Sequence, residues 1–319
     1  MRFIRVLGLS LVELMIALAL GTLVISASLS VVVGSSQSRL VNAQYQQIQD
    51  SGRVAMKILT DELRYAGYLA ELTSVSLNSG MMSISGVVGK DCVGPGTNHQ
   101  SLPQPQGAFV TVWADTKSDN DRLSCVDDAL NGSDLLQIKR VIGPDTPASA
   151  LDDNRYYLLS NMADAHLFPG NLSPTPSLAS GRYWHYQHRV FYVENRDDGI
   201  PALKWRQLYV NGGMVEEELV EGVERLKLRV GGDLNGDGVV DTWLEPSAVP
   251  LTLWQSPSVI LAVQIQLLVR PTLEVNHASS TPVVFEMFGG DVNFDDGIPR
   301  RLYQTTIVLA NARLTEGSL

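Results

Sequence analysis

Hydrophobic residues run from Leu9 to Gly34 almost without interruption, and Glu13 is the single charge among them. At 26 residues the run is long enough to cross a bilayer as a helix. Beyond Gly34 the pattern becomes amphipathic. Val41, Tyr45, Ile48, Ala55, Leu59 and Leu63 recur at spacings of three, four and seven, separated by Gln44, Gln46, Gln47, Gln49, Asp50, Arg53, Lys57, Asp61 and Glu62. That periodicity predicts one apolar stripe on a helix continuing to about Tyr68, roughly 90 Å at 1.5 Å per residue. Gly67 is placed to cap it, and Gly21, Gly34 and Gly52 are points where it would bend.

After Gly67 the pattern changes to short apolar runs punctuated by Gly, Pro, Asn and Asp. Val75–Leu77, Ala108–Trp113, Leu135–Arg140, Tyr156–Ser160, Tyr183–Glu194, Leu203–Val210, Val223–Val230, Val259–Arg270 and Thr305–Leu309 read as strands. Asn195–Pro201 offers a hairpin turn into Leu203. Val93–Pro105 and Gly143–Asn154 read as loops. The fold class is therefore α+β. A long N-terminal helix, transmembrane over 9–34 and periplasmic and amphipathic over 35–70, packs on a mainly antiparallel β head at 71–319.

Charge narrows the partners. The chain carries 24 Lys+Arg against 34 Asp+Glu, a formal net charge of -10. Phosphate backbones need a concentrated positive surface, so nucleic acid is set aside. Arg2 and Arg5 precede the apolar run and the next basic residue is Arg39, which favours a cytoplasmic N-terminus and a periplasmic head. Cys92 and Cys125, the only cysteines, then share one oxidising compartment. They most simply form one disulfide, contributing roughly 3–4 kcal/mol in the chain-entropy model, the alternative being two unrelated buried thiols.

The strongest chemical motif in the head is Asp233-Leu234-Asn235-Gly236-Asp237-Gly238-Val239-Val240-Asp241. Oxygen side chains at alternate positions with Gly at the sixth match a calcium (Ca2+) loop, in which Gly makes the sharp turn while ligands converge on a hard cation. Asp233, Asn235 and Asp237 would supply side-chain oxygens, Val239 a backbone carbonyl, and Asp241 a direct or water-mediated ligand. Leu244 stands where the usual bidentate Glu belongs, and two flanking helices are not evident. The alternative is a polar turn joining two strands. Asp291–Gly297 repeats the alternation with its Gly one place late, and reads as a hairpin turn.

His185 and His188 sit three apart on a predicted strand, so they face opposite sides and do not share a metal. Nucleophile elbow, phosphate loop and Cys-x-x-Cys are all lacking, and scattered Ser, His and Asp define no triad. The expectation is a protein that is not an enzyme.

The leader Met1–Gly8 has two positive charges and is too short for an ordinary secretory signal. Glu13 is costly near the start of a spanning helix, about 2.5–3.5 kcal/mol by insertion scales, and needs a partner. Gly8-Leu9-Ser10-Leu11-Val12-Glu13-Leu14 resembles the processing site of type IV pilins and type II secretion pseudopilins, with Leu9 where Phe is commoner. The resemblance implies cleavage of leader 1–8 after Gly8 by a prepilin peptidase and methylation of the Leu9 amine. It also implies assembly through Glu13, whose charge the new amine would balance. The whole chain resembles the PilW family of minor pilins, on Arg53–Leu59, Leu63–Tyr68, Val220–Leu226, Trp254, Val263–Arg270 and Arg300-Arg301 in that order.

That resemblance implies a type IV pilin-like fold and a single-pass inner-membrane protein that helps initiate pilus assembly. Its implied partners are other minor pilins, the major pilin and a tip adhesin, with pilus or pilus-tip location after assembly and a link to adhesion and twitching motility. Two other readings stand beside it: a J-type minor pseudopilin of type II secretion, and a membrane-tethered periplasmic enzyme.

Overall fold

Helix α1 spans Leu11–Arg64, with Gly21, Gly34 and Gly52 all within it. The computed structural model describes residues 10–72, 82–105, 107–118, 123–161, 163–256, 259–272 and 281–311. Gly8, Leu9 and the predicted strand at Val75–Leu77 lie outside them. The chain divides into two compact units, Met1–Gln47 and Ile48–Leu319, a boundary that falls inside α1.

In the first unit α1 is long and apolar enough to cross a membrane, and none of that apolar stretch is buried. Val41 and Tyr45 of the expected stripe belong to this first unit. In the second unit Ile48, Ala55, Leu59 and Leu63 are buried in the main core. Helix α1 then stops where Gly67 adopts φ +72°, a conformation glycine enters without a Cβ clash. The Gly67 N–H donates to the Lys139 carbonyl at 3.1 Å, and Tyr68 accepts from the Val141 N–H at 2.7 Å. The helix end is thereby fastened to the strand that carries Lys139 and Val141.

The described strands are β1 (Met82–Ile84), β2 (Val112–Thr116), β3 (Asp134–Thr146), β4 (Tyr156–Ser160), β5 (Ala165–Pro169), β6 (Arg182–Asn195) and β7 (Pro201–Tyr209). They continue as β8 (Gly213–Glu221), β9 (Val223–Gly232), β10 (Thr242–Leu244), β11 (Ile260–Val269), β12 (Val283–Phe285), β13 (Val292–Phe294) and β14 (Arg301–Val308). A short α2 (Leu251–Trp254) precedes β11. The larger sheet has eight strands in the order β1-β5-β4-β6-β3-β2, with β7 on β6 and β8 on β7. Four strands ordered β10-β9-β11-β14 form a second sheet, and β12 pairs with β13. Only β1 with β5 is parallel among the described pairings.

Several boundaries moved for physical reasons. β3 continues through Gly143 to Thr146, where a loop was expected, by way of an irregular register against β6 after Ile142. β8 was missed because Glu216-Glu217-Glu218 hides its alternation. Each Glu faces a partner across the ladder, with Arg206 opposite Glu216, Trp205 opposite Glu217 and Lys204 opposite Glu218. The Asn195–Pro201 turn is formed as expected, with Gly199 at φ +76°.

The two larger sheets are joined by buried polar bonds as well as by core side chains. Asp134 of β3 accepts from the Leu228 N–H of β9 at 2.7 Å and pairs with Lys227 at 3.1 Å. Ser133 exchanges two bonds with the Leu226 backbone.

Gly52 has a packing role. A Cβ there would fall 2.3 Å from the Tyr303 ring, whose hydroxyl donates to the Ile48 carbonyl at 3.1 Å. Gly52→Ala should therefore lower stability by about 1 kcal/mol or more, from overpacking, although Ala is the better helix former. In a Tyr303→Ala background the sign should reverse, to a gain of up to about 1 kcal/mol. Denaturant titration of the four variants tests this; a stabilising Gly52→Ala in the native background would refute the packing role.

Candidate functional site

At the start of α1, Ser10 and Glu13 form a reciprocal pair. The Ser10 N–H donates to Glu13 Oε2 at 2.9 Å, and the Glu13 N–H donates to Ser10 Oγ at 3.2 Å. This is a capping box, in which two backbone donors with no partner inside the helix are satisfied by side chains. Glu13 thus starts the helix as well as charging it. The Ser-x-x-Glu spacing ahead of an apolar run was the available signal.

Lower on α1, Glu62 is buried and grips two guanidinium groups. Arg140 of β3 donates from Nε at 3.0 Å and from Nη2 at 2.8 Å, and Arg189 of β6 donates from Nη1. Arg189 also lies 3.9 Å over the Trp205 ring and donates from Nε to Gln207 at 2.7 Å. One carboxylate therefore ties the helix to two adjacent strands of the larger sheet, β3 and β6.

The acidic loop closes on itself. Asp233 accepts from the backbone N–H groups of Asn235, Gly236 and Gly238, at 3.3, 2.8 and 2.7 Å. Burial pushes its carboxyl up, but the donors at Gly238, Gly236, Asn235 and Asp237 outweigh this and hold it below the usual range. Asp237 accepts from the Val239 N–H at 2.8 Å and Asp241 from the Leu234 N–H at 2.7 Å. Asn235 Nδ2 lies 3.3 Å from both Asp237 and Asp241. The structure thus joins the Asn235 amide to Asp237 and Asp241 and ties Asp233 to the loop backbone, turning at Gly236 and Gly238, whose φ values are +78° and +79°. Among the described residues no three His, Cys, Asp or Glu gather into a metal-holding group. In the second Asp-rich stretch, both Asp296 oxygens are taken by Arg300 at 2.7 Å, and Val292–Phe294 is strand β13.

Cys92 and Cys125 are joined in a disulfide. The segment after Cys92 lies over a buried polar group that sequence reasoning did not find. Lys139 donates to the carbonyls of His99 and Gln100 at 2.9 and 2.8 Å and sits 4.5 Å from the Phe109 ring centre. Burial pulls its pKa down to about 7. Ser101 donates to Asp91 and lies 2.6 Å from His188 Nδ1. Ser101 is also fully buried. Burial and then Lys139 lower the His99 pKa to about 3, and burial and then Arg155 lower that of His185 to about 4. His185 stacks near Tyr157 while His188 meets Ser101, so the two histidines do not converge.

Residues 190–311 match the family model of a type IV pilus-assembly protein, which ties the chain to the building of type IV pili. The family is PilW, Type IV Pilus-assembly protein W, and the match supports a PilW-family, type IV pilus-related protein. The matched span covers β7 to β14 with the Asp233–Asp241 loop, and leaves the leader motif and the whole of α1 as separate lines of reasoning. No curated protein and no solved structure matches the chain.

Glu62→Ala should cost about 3–5 kcal/mol in unfolding free energy, because it strands two buried guanidinium groups. Thermal or urea unfolding measures this, and a loss below about 1 kcal/mol would refute the clasp. A pH dependence also follows from the histidines. The unfolded chain takes up protons near pH 6.5, while folded His99 and His185 refuse them until about 3 and 4. Stability should fall as pH drops from 6.5 towards 4, by up to about 1.4 kcal/mol per pH unit for each buried histidine. His99→Gln should flatten that slope in pH-dependent unfolding, whereas an unchanged slope would count against the assignment.

Proposed function

We propose that this chain is a minor pilin that helps initiate type IV pilus assembly at the inner membrane and occupies the pilus tip or its vicinity. The observation that carries the proposal is the combination of the leader motif with a PilW-matching span in the distal head, two stretches far apart in the chain. In this reading a prepilin peptidase cuts after Gly8 and the Leu9 amine is methylated. The exposed apolar face of α1 then bundles with those of other minor pilins and the major pilin. Glu13 balances the new amine. Its bond to the Ser10 N–H does not exhaust the carboxylate, which has about four lone-pair sites.

A large head is hard to repeat along a tightly packed shaft, which favours the tip, where an adhesin would join it. The role is structural rather than catalytic.

Deletion of the gene, scored separately for surface pili and for protein secretion, tests the assignment. Loss of pili with intact secretion is expected. The reverse would make the chain a pseudopilin and overturn the proposal. In cells, Gly8→Val should leave an uncut precursor about eight residues longer, by mass spectrometry. Glu13→Val should be cut normally yet fail to enter sheared fibres. Antibody to the head should label fibre ends, and uniform lateral labelling would contradict the tip position.

We also propose that the Asp233–Asp241 loop takes calcium through Asp233, Asn235, Asp237, Asp241 and the Val239 carbonyl. The ion would cross-link a loop already turned at Gly236 and Gly238. Calcium should raise the melting temperature of the full chain in detergent. The shift should disappear in Asp233→Ala/Asp237→Ala; a shift of undiminished size in that variant would rule the loop out.

A further inference from the structure

The second unit carries a concave groove that the proposed function does not use. It is lined on α1 by Gln49, Arg53, Met56, Lys57, Thr60, Asp61 and Arg64, and on β14 by Arg301 and Tyr303. Its volume is about 480 Å³, within the usual size range for ligand clefts. Four of its side chains are basic and one is acidic, in a chain whose formal net charge is -10. Only Lys57 is neutralised, by Asp61 at 2.6 Å. Arg53, Arg64 and Arg301 make no ion pair among the described residues, and Arg301 lies 5.4 Å from the Tyr303 ring centre. Elsewhere the cations are largely spent on carboxylates, as Arg140 and Arg189 are on Glu62, Arg196 on Glu218 and Glu221, and Arg300 on Asp296 and Glu224.

The walls of the groove select among anions. Met56 and the Tyr303 ring give it apolar surface, and Asp61 sets a carboxylate within it, which suits a mixed polypeptide better than a uniformly charged phosphate chain. A second copy of this chain is disfavoured by like net charge, and many of its carboxylates are already paired. On the β side the groove is bounded by β14, the edge strand of its sheet, which has a strand partner on one side only among the described residues. An edge of that kind suits an extended segment. We propose that this groove is a docking site for an extended acidic segment of a different protein. It requires only that the head be folded, and stands apart from the assembly role proposed above.

The test uses the full chain in uncharged detergent and a fluorescein-labelled peptide of about eight glutamates, with a glutamine peptide of equal length as control, read by anisotropy. The glutamate peptide should bind saturably, weaken with added salt, and lose about tenfold in affinity in Arg53→Ala/Arg301→Ala. Both arginines are exposed, so the variant should keep the native melting temperature. As a gain-of-function arm, Arg53→Glu/Arg301→Glu should prefer an octalysine peptide. Equal binding of the glutamate and glutamine peptides would overturn the proposal, as would full affinity in the alanine variant. It would also fall if the two arginines were instead needed for binding phosphatidylglycerol vesicles without glutamate-peptide binding, or for self-association in sedimentation velocity.

Discussion

One buried carboxylate fixes the register in which the second half of α1 packs in the head. Glu62 projects from the helix into two guanidinium groups, one from β3 and one from β6, strands that pair along most of their length. A buried ion cluster of this kind is not a large net source of stability, since desolvation offsets most of the Coulombic gain. It is a specificity device, because a register shift of the helix would leave three charges buried without partners. Leu59 and Leu63 supply hydrophobic burial that several neighbouring registers could satisfy. Glu62 accepts only one. The capping glycine just beyond it, with its bond to Lys139, then fixes where the chain leaves the helix.

The same strand pair supports a second buried polar layer, and the contrast with Glu62 is informative. Lys139 stands opposite His188 across the β3–β6 ladder, and the segment carrying His99 and Ser101 closes over both. No carboxylate bonds directly to Lys139; backbone carbonyls hold it, and its pKa falls accordingly. The disulfide restrains the segment that supplies those carbonyls. Covalent closure and buried hydrogen bonding therefore act on one element, and each limits the entropy the other must overcome.

Legibility in the sequence follows the range of the interaction concerned. The helix, the membrane-length run, the Asn195–Pro201 turn and most central strands were visible because periodicity and turn chemistry are local. Glu62 was placed among the polar residues between the stripe positions, although it falls on the buried face at Leu59 plus three. Its partners lie 78 and 127 residues away, beyond the reach of any spacing argument. β8 failed for a related reason, since its glutamates look like a solvated run until the basic ladder of β7 is set beside them. Ser10 with Glu13 was a different case: the capping signature was present, but the charge of Glu13 drew attention away from its hydrogen bonds.

That last point bears on how one residue can hold two roles. A capping carboxylate is drawn to the helix start by unsatisfied N–H groups and by the positive end of the helix dipole. An N-terminal amine created at Leu9 would add positive charge in the same place. The local bond to Ser10 and a longer-range pairing with an amine therefore favour one position of Glu13, so neither must displace the other. Two features meet there: a helix start set by Ser10 and a carboxylate already oriented by it. A valine at this position would remove both the cap and the charge. Glutamine keeps an oxygen to accept the Ser10 N–H while losing the charge, so comparing the two substitutions separates helix initiation from charge pairing.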